Sequence, residues 1–410
     1  MGVISGALSL ISAQFNFSLG QSSIFASILL FGALLGSGLA GYLIKVLGRK
    51  KVFFLSALLI VIGCLLVVKT SSFSFLLFAR VLKGIGIGLV SVVTPLYLGE
   101  IAPSEHRGKI VSAYQLLMCF GVVAAFLVNA FFHRSSNWQD MFLVGLLPAV
   151  IQIFLLFFIA ESPLWLFQQQ KEKKGNQILM KLGLETSFVK EEKVQTQESS
   201  SLDLFSFLLW IGVFLSVFQQ VGGINTLIYY SPRIFQAAGY TSAFSALLAT
   251  IAVGVSNLVG CGLSCALSDR IGRKKLLLLG LFGMTVSLLT LCASSFFQSP
   301  WSDDLSVFLL IVYIFFFALG PGPITWVLLS EIFPEPIRGK GMTFALLANW
   351  SSVFIVLWLF PFLLEWIKIE GTFGFYSFMN IIAIIFVLKF IPETKNKTFK
   401  EIFYSFKKMK

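Results

Sequence analysis

Charge is scarce in this chain: Asp, Glu, Lys and Arg make up 12% of its residues, against 57% hydrophobic residues that include 45 phenylalanines. A soluble protein of 410 residues needs far more polar surface than this. Water-soluble domains are therefore excluded, and the mean hydropathy of +0.88 makes the bilayer the solvent. Cysteine is sparse too. All five (Cys64, Cys119, Cys261, Cys265 and Cys292) fall inside apolar runs, which argues against a disulfide framework. Cys261 and Cys265 share a helical face, but two thiols without a neighbouring His or carboxylate make a poor metal site and read as packing residues. No nucleophile–base constellation or metal-ligand spacing occurs, so the expectation is no enzyme, no metal and no cofactor. Sustained apolar–polar alternation is missing, which argues against a β-barrel. No basic segment precedes the apolar Met1–Ile11, which speaks against a signal peptide. Gly6 stands where a myristoylation motif needs Ser or Thr.

What the chain does have is charge-free stretches, at 1–44, 52–68, 84–99, 110–132, 141–160, 204–232, 241–268, 276–302, 305–330, 341–364 and 371–388. Most reach the roughly 20 residues that an α-helix needs to cross the hydrocarbon layer. With Arg80 and Lys83 placed inside a helix over 73–98, eleven full spans result, and Met1–Ile11 is expected to be half of a twelfth. If residues 161–204 are cytoplasmic, 25 of the 31 Lys and Arg lie in the loops and tail on that side and four in the opposite loops. The net charge of +12 is thus a matter of topology and implies no nucleic-acid partner. The tail lysines Lys407, Lys408 and Lys410 read as solvated.

The few charges repeat. EIAPSEHRGK at 100–109 returns as EIFPEPIRGK at 331–340, and GYLIKVLGRKK at 41–51 as LSDRIGRKK at 267–275. ESP at 161–163 is answered by ET at 393–394. The chain reads as a duplication split by the polar stretch 161–204, whose KEEKVQTQESSS cannot bury enough apolar area to form a domain. Parallel repeats about an axis along the membrane normal are one architecture of secondary transporters, with the substrate site between the halves. The glycine run KGIGIG at 83–88 invites a nucleotide-loop reading, but no strand precedes it and helix packing explains it.

Taken together, the motifs resemble the sugar porter family of the major facilitator superfamily over essentially the whole chain: GRKK, RVLKGIGIG…PLYLGEIAPSEHRGK, ESPLWL, QQVGGINTLIYYS, DRIGRKK, GPGPITW…EIFPEPIRGK, NW and PETK, in that order. The resemblance implies an all-α integral membrane protein with the major facilitator fold. Two six-helix bundles would be related by a pseudo-two-fold axis, with the first transmembrane helix truncated at the N-terminus. The expected divisions are 1–160 for the N-terminal bundle, 161–204 for a cytoplasmic linker with short helices, 205–391 for the C-terminal bundle and 392–410 for a basic cytoplasmic tail. It further implies a multi-pass monomer of the plasma or bacterial inner membrane, surrounded by lipid, with both ends of the complete protein cytoplasmic. The substrate would be a monosaccharide, hexose or pentose, moved by alternating access either with protons or by facilitated diffusion.

The resemblance also assigns residues. A cytoplasmic gate is implied of Arg49, Glu100 and Arg107 in one half and Asp269, Arg273, Glu331 and Arg338 in the other, with Glu161 and Glu393 reaching towards them. Exposed pairs of this kind are worth only ~0–1 kcal/mol each, which suits a gate that substrate binding must overturn. Lys45 stands where the second half has Asp269, a reversed charge against the family pattern. Sugars are neutral and rich in hydroxyls, so amides and indoles suit them better than ions. Gln219, Gln220 and Asn225 are implied to grip sugar hydroxyls, joined by Gln115, Asn257, Trp326, Asn349 and Trp350. Gly222 and Gly223 loosen the helix beside them, so that Tyr229 and Tyr230 would ride on a bending lid. Arg80, an intramembrane charge, is expected either to pair internally or to snorkel to the interface. Ala318 replaces an acid of the glucose facilitators. The proton-carrying aspartate of the coupled branch would fall just ahead of Met1, so coupling cannot be read. Other readings kept open are an inositol or polyol transporter, and a non-transporting sugar sensor or degenerate truncated paralogue.

Overall fold

The computed structural model describes residues 2–70, 72–102, 107–133, 137–182, 202–237, 243–297, 302–333, 335–395, 397, 401–402 and 404–406. Among the described residues the chain is helical and contains no strand. The first half comprises α1 (Val3–Gln14), α2 (Leu19–Leu47), α3 (Arg49–Lys69), α4 (Phe73–Ile101), α5 (Arg107–His133), α6 (Trp138–Val144) and α7 (Leu146–Leu155). Two short helices, α8 (Pro163–Gln168) and α9 (Glu172–Leu182), begin the polar stretch, whose residues 183–201 lie outside the described residues. The second half comprises α10 (Leu202–Val221), α11 (Ile224–Ala237), α12 (Ala243–Ile271), α13 (Arg273–Phe297), α14 (Ser302–Leu319), α15 (Pro321–Ile332) and α16 (Glu335–Phe390).

Ten helical stretches among the described residues are long and apolar enough to cross a membrane. One of them, within α16, is two helices joined at Lys368 (φ 57°, ψ −175°). The expected eleven spans are thus accounted for, and α1, with 12 residues, is the shorter apolar helix. Local chemistry explains the ends. Ser18 and Gln21 form a reciprocal capping box at the start of α2, and Ser162 caps α8 with Pro163 at its first position. Gly320, which precedes Pro321, leaves the helical region (φ −119°, ψ −89°), and this separates α14 from α15.

The glycine run of α4 packs helices, as expected: a Cβ on Gly84 would stand 2.1 Å from the Leu29 carbonyl oxygen of α2. Between the halves, α2 packs along α16 and α5 along α12. The core shows how the halves meet. At the end of the molecule where α1 stops and α4 starts, one apolar cluster draws Ile4, Leu8, Ile11 and Phe126 from the first half together with Tyr229, Tyr230, Leu288 and Phe360 from the second. At the opposite end, which carries the ionic turns, the cores are separate: Ile44, Phe53, Val93 and Tyr97 in one half, and Leu276, Leu328, Phe333 and Val387 in the other. The halves are therefore sealed at the far end and divided at the ionic end.

Candidate functional site

At the ionic end, the repeat builds the same device twice. α2 ends at Gly48 (φ 87°) and α12 is followed by Gly272 (φ 102°), a left-handed conformation open to glycine. A Cβ at either would sit 2.6 Å from a carboxylate oxygen, of Glu161 and Glu393 respectively. The missing side chain admits the carboxylate to the exposed N–H groups of the next helix. Glu161 accepts from the backbone N–H of Arg49 at 2.9 Å, of Lys50 at 3.2 Å and of Ser162 at 2.9 Å. Glu393 accepts from Arg273 at 2.8 Å, Thr394 at 3.0 Å and Lys395 at 3.1 Å. An anion at a helix N-terminus is favoured by the helix dipole.

Burial alone would raise the Glu393 carboxyl, but the backbone donors of Lys395, Arg273, Thr394 and Lys274 outweigh it and hold its pKa below the ordinary 4.5. A depressed pKa contributes stability that is present above the unfolded value, about 4.3, and is lost as pH falls through the lower folded value. The melting temperature of Glu393→Gln should therefore lie below wild type near neutral pH and converge on it in acid; a gap that is constant with pH would contradict this.

The arginines of the repeat differ between halves. Arg49 grips Glu100 bidentately, with Nε donating to Oε2 at 2.9 Å and Nη2 to Oε1, and both side chains are under 10% exposed. Arg273 is shared by Glu331 at 3.1 Å and Asp269 at 3.1 Å, the latter 80% exposed. Thr394 also donates to Glu331. The expectation of weak exposed pairs thus fails in the first half, where tight packing around Tyr97 and α3 buries the pair. Lys45, in the place of Asp269, is exposed, and its carbonyl accepts from the Trp165 indole at 2.9 Å. Among the described residues no ion pair joins the two halves. Arg107 and Arg338 lie on α5 and α16, but their side chains are outside the described residues.

Towards the membrane centre, α10 stops at Val221 and α11 begins at Ile224, with Gly223 at φ 93° between them. Four expected amides converge here. Gln219 Nε2 donates to the carbonyls of Pro321 at 3.0 Å and Gly322 at 2.8 Å. Two carbonyls can face only an NH₂ group, which fixes the orientation of this amide. Its oxygen must then accept, and does, from Gln220 Nε2 at 3.1 Å and Asn349 Nδ2 at 2.7 Å. Asn349 also donates to the Ser216 carbonyl at 3.3 Å. Gln220, oriented in turn, presents its oxygen to Asn225 Nδ2. The donor–acceptor polarity of the chain is therefore set at Pro321 and transmitted to Asn225. Gln219, Gln220 and Asn349 are buried and Asn225 is half-buried.

Beside this network lies a cavity of about 100 Å³, lined by Gln115, Cys119, Asn257, Cys261, Ala318 and Gly322 among others, with no carboxylate or basic side chain on its wall. Gly322 belongs to both, since its carbonyl receives Gln219. The cavity straddles the halves: Cys119 of α5 and Cys261 of α12 pack together on Ala318. Trp350 is half-buried, and its indole N–H is enclosed without an acceptor. Trp326 packs instead against the second half's core at the ionic end.

Tyr229 and Tyr230 on α11 belong to the far-end cluster, Tyr230 with its ring 5.1 Å from Phe360. Arg80 is 1% exposed and does not snorkel. It donates to the Ala26 carbonyl at 3.1 Å and lies 4.6 Å over the Phe25 ring. Sequence reasoning overlooked the break at Gly320–Pro321, Tyr313 and Tyr376; the GPGP run at 320–323 was the available sign of the break.

Comparison with known proteins agrees with this architecture. The profile of the family described as "Sugar (and other) transporter" matches residues 1–406. The chain is 33% identical over 417 residues to the glucose transporter GlcP of Staphylococcus epidermidis, covering 98% of this chain and 92% of that one. It is 32% identical over 415 residues to the galactose-proton symporter of Escherichia coli, with 98% and 89% covered. A solved structure of the E. coli xylose transporter XylE in a partially occluded inward-open conformation has a TM-score of 0.85 at 32% identity, covering 97% of this chain and 95% of that one. With a family profile matched over almost its whole length and relatives above 30% identical in sequence and fold, the chain belongs to the sugar (and other) transporter family of the major facilitator superfamily.

Proposed function

We propose that this protein moves a neutral monosaccharide, hexose or pentose, across the cell membrane by alternating access. The observation that carries the reading is the oriented amide network beside an uncharged cavity at the junction of the halves. A hydroxyl-rich, uncharged ligand is matched by groups that both donate and accept. In this reading Gln220, Asn225, Gln115 and Asn257 hydrogen-bond the sugar, and Trp350 offers its unanswered N–H and its ring face. Gln219 and Asn349 hold the network, with Trp326 at its margin towards the ionic end. In this reading the ionic end, with both ends of the complete protein, is cytoplasmic, which the lysine and arginine distribution supports. The acid–arginine clusters are the gate, the lid is α11, and the seal at the far end makes the observed conformation inward-facing. The divisions remain 1–160, 161–204, 205–391 and 392–410, and the protein acts as a monomer in lipid.

Relatives include both a glucose transporter and a proton symporter by name. The test is uptake of labelled hexoses, pentoses and inositol into vesicles, with and without a pH gradient. Saturable uptake of one sugar is expected, and acceleration by an inward proton gradient would assign symport. Uptake of inositol in preference to every monosaccharide would replace the substrate class, and uptake of none would refute transport.

A further inference from the structure

The second half contains two interrupted helices, and each interruption is held by a side chain from the other. Gln219, in the last turn of α10, reaches the first turn of α15 and donates to the carbonyls of Pro321 and Gly322. In return Tyr313 of α14 donates its hydroxyl at 2.7 Å to the carbonyl of Gly222, one of the two glycines that join α10 to α11. Both donors are removed from water: Tyr313 is 0% exposed and Gln219 5%. Neither donor can therefore exchange its partner for water without the interior opening.

The α10–α11 joint is also clamped from α16. A Cβ on Gly223 would stand 2.4 Å from the Tyr376 ring, and one on Gly222 would stand 2.7 Å from Asn380 Oδ1. Thr226 holds the Gly223 carbonyl at 2.6 Å from within α11. What remains free to hinge is α11 on one side and α15 on the other, and these carry different ends of the pathway. α11 supplies Tyr229 and Tyr230 to the far-end seal, whereas α15 carries Glu331 of the ionic gate.

We propose that Tyr313 and Gln219 form a reciprocal latch that couples the two breaks, so that the lid α11 and the gate-bearing α15 change position together. Tyr313 is then a positioning residue: it acts through the Gly222 carbonyl and touches no sugar. Because transport requires that the two ends never open at once, a mechanical tie between their moving parts gives the alternation a physical basis. The role assigned to these ends rests on the transport reading above, but the tie itself does not.

Two arms test it. The first needs no sugar: hydrogen exchange by mass spectrometry on protein in lipid nanodiscs, comparing wild type, Tyr313→Phe and Gln219→Met. Each variant should raise exchange at least about fivefold in both peptides, 222–230 and 319–326, with α4 unchanged as the folding control. If each variant loosens only the break it touches, the latch is wrong. The second arm is transport, where Tyr313→Phe should lower kcat about tenfold with KM within about twofold. A tenfold rise in KM at constant kcat would instead make Tyr313 a sugar contact and overturn its positioning role. If wild type carries no substrate at all, the transport reading falls while the exchange arm still decides the latch.

Discussion

Gln220→Ala is expected to abolish saturable uptake while leaving surface expression intact. Gln220 stands one step from the anchored start of the network, receives its polarity from Gln219 and hands it to Asn225. Truncation removes two things at once: the second N–H, which on the proposed reading meets the sugar, and the acceptor that fixes Asn225. A buried polar group left unpaired costs ~1–3 kcal/mol, and a site built to bond hydroxyls loses correspondingly when its groups are misdirected. With two such losses, uptake efficiency should fall at least about a hundredfold. Gln220→Asn, which keeps the amide but withdraws it by one carbon, should be impaired less in protein amount than in affinity. Saturable uptake of normal affinity in Gln220→Ala would refute the assignment.

Breaking the Arg49–Glu100 pair should cost far more than breaking the exposed Arg273–Asp269 pair of the other half. Both partners are buried, so Glu100→Ala leaves a guanidinium without its carboxylate in a place that water does not reach, a loss of about 3–5 kcal/mol. Asp269→Ala removes a largely exposed carboxylate from an arginine that keeps Glu331, and should change stability by no more than about 1 kcal/mol. Replacing Arg49 and Glu100 together by apolar residues of similar size should recover much of the loss. Thermal unfolding of the four proteins in detergent measures the difference. Equal shifts for Glu100→Ala and Asp269→Ala would show that burial does not set the energies of the two pairs.

Much of the fold was legible because the bilayer enforces simple rules. Uncharged runs of sufficient length must be helices, and the spaced EIxPxxxRGK repeat placed corresponding turns at one end. Arg49 meets Glu100 and Arg273 meets Glu331 where the glycines at 48 and 272 fix the turns that carry the two arginines. Two things were not legible. The burial of Arg49 depends on how α3, α4 and the start of α8 close around it, and no local pattern encodes that. The amides were located but not their connectivity, since whether Gln219 faces a ligand or a carbonyl depends on a helix break 100 residues away, at Gly320. Lys45 shows the reverse limit: a reversed charge that looks disruptive in sequence simply turns outward.

The interruptions are unevenly distributed. In the first half α2, α3, α4 and α5 run without a break and only the α6–α7 junction at Gly145 interrupts a span, whereas the second half is jointed within two spans, at 222–223 and at Gly320. A protein whose two lobes merely tilted as solid bodies would have no use for such an imbalance. One lobe is made as an abutment and the other as a linkage, so strain introduced by a cargo is released in the articulated wall, and stiffening that wall should arrest the cycle where stiffening its neighbour would not.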